Sequence, residues 1–167
     1  MAKKHADASG HFLFALRILL GFTMFWAFLD KLFGWGFNTP AERAWIVGGS
    51  PTEGYLANAV RGPFEGVFSS LAGSVFVDWL FMLGLLGIGL AFLFGVVMRF
   101  AGYMGALMML LMYVSAFPPE TNPVVSSHIL QAVLFVYLGY ATYAVRYDIV
   151  RNWWRETAFA KKHPWLS

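Results

Sequence analysis

Residues 75–97 read VFVDWLFMLGLLGIGLAFLFGVV, 23 positions in which Asp78 is the sole charge. A helix rises about 1.5 Å per residue, so a run of this length crosses the ~30 Å hydrocarbon layer of a bilayer. Stretches 12–33, 100–117 and 124–145 have the same character. Together they predict an all-α integral membrane protein, a bundle of four transmembrane helices forming one domain. Composition agrees, because 59% of the residues are hydrophobic and 13% are charged, against roughly 25% charged in soluble domains.

The net charge of +3 does not point to nucleic acid, since the basic residues sort by side of the bilayer and form no binding patch. With the N-terminus cytoplasmic, Lys3, Lys4, Arg17, Arg99 and five cations between 146 and 162 share that side with three carboxylates. The outer side holds Lys31, Arg43 and Arg61 against six carboxylates. Lys and Arg in short flanks stay in the cytoplasm, so the expectation is a multi-pass protein of the cell membrane with both termini, including the tail 146–167, inside. The first stretch is too long for a signal-peptide core, carries Arg17 and lacks a small-residue cleavage site, so it is expected to remain as a span. The chain has no cysteine, which excludes disulfides, thiolate metal sites and c-type haem attachment within it. Redox chemistry here would need a borrowed or diffusible carrier.

Between the first two spans lies an outer segment, 34–74, long enough to be a functional lid. Thr39-Pro40-Ala41-Glu42 and Ser50-Pro51-Thr52-Glu53 read as capping boxes with proline at the first helical position, predicting two short helices. A third, from Pro63 through Phe64, Val67, Phe68 and Leu71 to Gly73, has apolar residues at helical spacing and is expected to lie along the membrane interface. Small residues every four positions, Gly87, Ala91 and Gly95, then Ala101, Gly105, Gly102 and Ala106, predict that the second and third spans form a tight hairpin. Trp26, Trp35, Trp79, Tyr143, Tyr147, Trp153 and Trp154 fall near span ends, as an aromatic belt does.

Ionisable groups at membrane depth are costly and mark sites, unless they anchor at an interface. Asp30 and Lys31 end the first span on the outer side, Asp78 begins the second, and His128 with Gln131 enters the fourth, whose expected start is Asn122 as cap and Pro123 as first residue. Three separated stretches thus converge on one depth. With Glu65 from the lid they would line a pocket in which His128 donates or carries a proton, Asp30 or Asp78 orients it, and Lys31, Glu65 and Gln131 bind substrate. The bland alternative for each carboxylate is an interfacial anchor, and for His128 a satisfied buried imidazole. Arg17 and Arg99 belong to the inner end, where snorkelling accounts for them.

No metal or haem ligand set is legible. His11 and His128 belong to opposite ends, His5 and His163 to the polar tails, and Met104, Met108 and Met112 form a stripe better read as adaptable packing than as a copper site. No dinucleotide fingerprint, P-loop or HExxH occurs.

Arg17-Ile18-Leu19-Leu20-Gly21 leading to Asp30-Lys31-Leu32-Phe33-Gly34, then Gly62-Pro63-Phe64, Asp78-Trp79-Leu80-Phe81-Met82-Leu83-Gly84, Met98-Arg99, Asn122-Pro123 and Ser127-His128 together resemble the DoxX/DoxD family of four-helix membrane proteins. The likeness extends over almost the whole chain, and the long lid looks more like the DoxD branch. It implies a part in thiosulfate:quinone oxidoreductase, which joins two thiosulfates as tetrathionate and passes electrons to quinone, with a second subunit as partner. It carries no catalytic residues across. A thiosulfate dianion would need Lys31, Arg43 and Arg61 for local attraction on an otherwise acidic side. The alternative is a non-catalytic structural or assembly subunit of a respiratory membrane complex. A solute carrier would need broken helices or inverted repeats, which are not legible.

Overall fold

The computed structural model describes residues 2–119, 122, 124–141 and 148–166. Among them every named element is helical: α1 (Ala2–Phe33), 3-10 turns at Ala41–Arg43 and Trp45–Val47, α2 (Glu53–Asn58), α3 (Glu65–Ser69), α4 (Val75–Phe94), α5 (Met98–Ser115), α6 (Ser127–Tyr140), α7 (Ile149–Glu156) and α8 (Ala158–Lys162). Three helices among the described residues are long and apolar enough to cross a membrane: Ser9–Phe33, Val75–Phe94 and Met98–Ser115. Their outward faces carry exposed Phe12, Leu19, Phe76, Leu80, Leu83 and Leu107, compatible with contact to lipid tails. The fourth expected span is represented by α6, a shorter apolar helix of 14 residues. Arg146, Tyr143 and Tyr147 lie outside the described residues.

Helix ends differ from the expected ones for local reasons. α1 begins ten residues before its apolar run, because the alanines and lysines ahead of that run are good helix formers even where no apolar face exists. α4 stops at Phe94 because Gly95 takes a left-handed conformation (φ 71°) and its N–H turns back to the Ala91 carbonyl at 2.8 Å, a glycine C-cap. Asn122 does not cap α6. Its Oδ1 accepts the N–H groups of Val124 and Val125 at 2.9 Å each, a local turn that competes with helix initiation and delays α6 to Ser127. Pro123, expected as the first helical residue, lies outside the described residues.

The lid also departs from its capping boxes. Thr39 gives no cap and Pro40 precedes a single 3-10 turn. Ser50 Oγ does accept the Glu53 N–H at 3.2 Å, yet the helix it serves starts at Glu53 and not at Pro51. α3 covers only Glu65–Ser69 of the longer helix expected from Pro63.

Helices pack as α1 on α4 and α5 on α6, so the expected tight α4–α5 hairpin is the lesser contact. Glycines decide the pairing. A Cβ on Gly21 would lie 2.8 Å from the Leu93 nitrogen, and one on Gly89 would lie 2.8 Å from the Phe25 nitrogen, so α1 and α4 meet backbone to backbone. Gly87, a member of the expected stripe, faces open space. On the other pair, a Cβ on Gly102 would lie 2.8 Å from the Phe135 carbonyl oxygen, and one on Gly139 3.0 Å from that of Met98. Fully buried Phe92 and Phe135, edge to face at 5.0 Å, join the two pairs.

Gly89→Ala should therefore destabilise the fold by about 1–3 kcal/mol, because the added methyl meets main chain that cannot rotate away. Gly87→Ala should be neutral or stabilising by up to ~1 kcal/mol through helix propensity alone. Unfolding of the two variants side by side in one detergent distinguishes a packed glycine from an idle one.

Candidate functional site

The lid is fastened to the spans by buried carboxylates. α1 ends at Gly34 (φ 67°), where a Cβ would lie 2.7 Å from the Ala41 Cα, so the chain can fold back only with glycine there. The return brings the N–H groups of Phe37 and Asn38 to Asp30 Oδ1 and Oδ2 at 3.2 and 2.9 Å. Asp30 is wholly buried, and those two amides satisfy the carboxylate that water cannot reach. Next to it, Lys31 Nζ donates to the Pro51 carbonyl at 2.9 Å and stands 5.8 Å from the centre of the Phe81 ring.

On α4, Asp78 Oδ1 accepts from Ser50 Oγ at 2.9 Å, Thr52 N at 3.1 Å and Thr52 Oγ1 at 2.6 Å. On α5, the Tyr55 hydroxyl is 2.8 Å from Ser115 Oγ, and Arg61 donates its N–H to the Ser115 carbonyl at 2.9 Å and its Nε to that of Ala116 at 3.3 Å. Trp45 meets Trp79 edge to face at 4.7 Å. Three helices thus hold the segment over the bundle end.

Beneath it lies a cavity of about 880 Å³. Met24, Phe81, Leu85, Met108, Met109 and Met112 form its apolar wall. Lys31, Asn38, Arg43, Tyr55, His128 and Gln131 give it polar groups. Among the described residues, no hydrogen bond to another side chain or to the backbone holds the His128 ring or the Gln131 amide, and both are half-buried. Asp30, Glu42 and Glu53 line it as well, so the cavity offers apolar contact to a flat body and donors to a carbonyl oxygen, while three carboxylates offset its two cations.

Of the residues expected at the site, Asp30, Lys31, His128 and Gln131 border this cavity. Asp78 and Glu65 do not. Asp78 is consumed by Ser50 and Thr52, which makes it a fastener of the lid, while Glu65 is exposed in the first turn of α3. Asp30 is also committed, to backbone amides, and so serves to shape the rim. Sequence reasoning passed over Tyr55, Asn38 and the apolar wall. The methionines were legible only as a packing stripe, and Met104 of that stripe is exposed and away from the cavity.

Arg17 does not snorkel. It is 1% exposed and its Nη2 donates to Asp148 Oδ1 at 3.0 Å, at the end of the bundle opposite the lid. Nothing in sequence spacing joins two residues so far apart. Among the described residues, no group of three or more His, Asp or Glu side chains is placed to hold a metal ion. No model of a known protein family, no curated protein and no solved structure matches this chain.

Proposed function

We propose that the chain is a four-helix membrane protein, both termini cytoplasmic and the lid outward, whose cavity takes the headgroup of a lipid-soluble quinone and reduces it with electrons from thiosulfate. The observation that carries this reading is the mixed lining of the cavity, methionine and phenylalanine side chains together with the polar groups of His128, Gln131 and Lys31. A quinone ring needs an apolar slot and a donor for its carbonyl oxygen, and His128 is a cavity-lining imidazole with an unengaged ring nitrogen. Two thiosulfates form a new S–S bond to give tetrathionate and release two electrons. The quinone accepts these with two protons to become quinol. Lys31 and Arg43 supply positive charge for the dianion, and His128 passes a proton to the quinone oxygen. The resemblance to the DoxX/DoxD family supports the same chemistry.

The test is thiosulfate-dependent reduction of a soluble quinone analogue by membranes carrying the chain, against membranes with empty vector. His128→Ala should lower the rate by roughly 100-fold, as loss of a positioned proton donor does. Lys31→Met should raise the thiosulfate concentration needed for half-maximal rate. Undiminished turnover in both variants would remove the assignment. Absence of turnover, together with stable co-purification of another chain, would favour the structural-subunit reading.

A further inference from the structure

A second cavity, of about 210 Å³, lies at the tail end of the bundle. Gly95 at the end of α4, Met98 and Arg99 at the start of α5, and Tyr140 and Ala141 at the end of α6 close it on one side, while α7 and α8 close the other. Among the described residues, four cations line it, Arg99, Arg151, Arg155 and Lys161, and no carboxylate does. The acids nearby are committed elsewhere. Asp148 binds Arg17, and Glu156 Oε2 accepts from Lys161 at 2.8 Å, a bond that holds the Glu156 carboxyl below its usual range. Lys161 is therefore partly neutralised, and Arg99 and Arg155 carry the positive character the proposal needs.

Two lining residues also hold buried donors with nothing to bond. Among the described residues Arg99 Nε and Trp154 Nε1 lack a hydrogen-bond partner, although Arg99 is fixed by Nη1 donating to the Pro164 carbonyl at 2.8 Å and by its stacking 5.0 Å from the Tyr140 ring centre. Orphaned buried N–H groups are costly and call for an acceptor. Arg151 Nη2 donates to the Ala141 carbonyl at 2.9 Å, which pins the wall in place.

The position narrows the choice of acceptor. The cavity sits where α4 ends, α5 begins and α6 ends, and the exposed apolar residues around it, Ile149, Val150, Trp153, Phe159 and Trp165, make α7 and its continuation a surface suited to a headgroup layer. We infer that this cavity binds a phosphate group, presented by an anionic phospholipid whose chains run along α5 and α6. Basic pockets between span ends have the charge and depth for such headgroups. The inference does not depend on the quinone reading.

The experiment uses the full chain purified in detergent, with retained lipid counted by native mass spectrometry after addition of phosphatidylglycerol or phosphatidylcholine of equal chain length. Phosphatidylglycerol should be retained in preference. Arg155→Gln, an exposed change that leaves the core untouched, should lower that preference about fivefold, and Arg99→Gln with Arg155→Gln should lower it further, since each cation beside an anionic headgroup contributes on that order. Displacement of the lipid by millimolar inorganic phosphate would keep the phosphate site and assign it to a soluble source. Equal retention of the two lipids, or a preference unchanged in both variants, would overturn it.

Discussion

Asp148→Ala should lower the stability of the chain by about 3–5 kcal/mol, the usual effect of removing one partner from a buried ion pair. The Arg17 guanidinium it leaves behind is 1% exposed, with the Phe14 ring centre 5.2 Å away, and among the described residues its Nε and Nη1 already lack hydrogen-bond partners, so no carboxylate there replaces the lost one. A Cβ on Gly95 would collide with Arg17 Nη1, which shows how closely the backbone encloses the cation. The same reasoning gives the control. Arg17→Met combined with Asp148→Leu removes both charges from a site with only one bond between them, and should recover most of the loss. Unfolding in mild detergent of the two single variants and the double closes the cycle. A double variant whose loss equals the sum of the two single losses would show that the side chains act independently and not as a pair.

Asp78→Ala should release the lid while leaving the spans assembled. Its Oδ1 collects three donors from Ser50 and Thr52, and hydrogen bonds to a charged acceptor contribute about 1.5–3 kcal/mol each. Shared on one oxygen, they are worth on the order of 3 kcal/mol together, which corresponds to roughly a 100-fold rise in local opening. Amide hydrogen exchange at Thr52 and across α2 should accelerate by that factor, and the α1–α4 crossing at Gly21 and Gly89 should not change. Asp78→Asn keeps one acceptor for Thr52 and should fall between the two. Uniform acceleration through α4 would mean that Asp78 stabilises the bundle and not the lid.

Three long apolar helices were legible because their signal is length and hydropathy, which do not depend on neighbours. Their ends were less so, for Asn122 satisfies the same N–H groups in a turn or a helix cap, and a sequence cannot weigh the two. Helix pairing was misread for a similar reason. The small-residue stripe Gly87-Ala91-Gly95 has the spacing of a contact face, but the glycine that meets α1 is Gly89, and Gly87 meets nothing. That Asp30, Lys31 and His128 lie near one another followed from their place at one end of each apolar stretch. Which of them face the cavity depends on how residues 34–74 fold back, and that is decided by Gly34, Ser50 and Thr52 acting on partners distant in sequence. The Arg17–Asp148 bond is the extreme case, with no local signature at either end.

That bond also imposes a schedule on synthesis. Its partners are 131 residues apart, so at translation speeds of about 5–20 residues per second, α1 waits roughly 7–26 s for the carboxylate that neutralises its arginine. Until then the carboxylate that pairs with Arg17 in the folded chain does not yet exist. The bundle is closed from its last-made part, and a chain ending before residue 148 would hold the sequence of α1 to α6 but no Asp148 to pair with its buried cation.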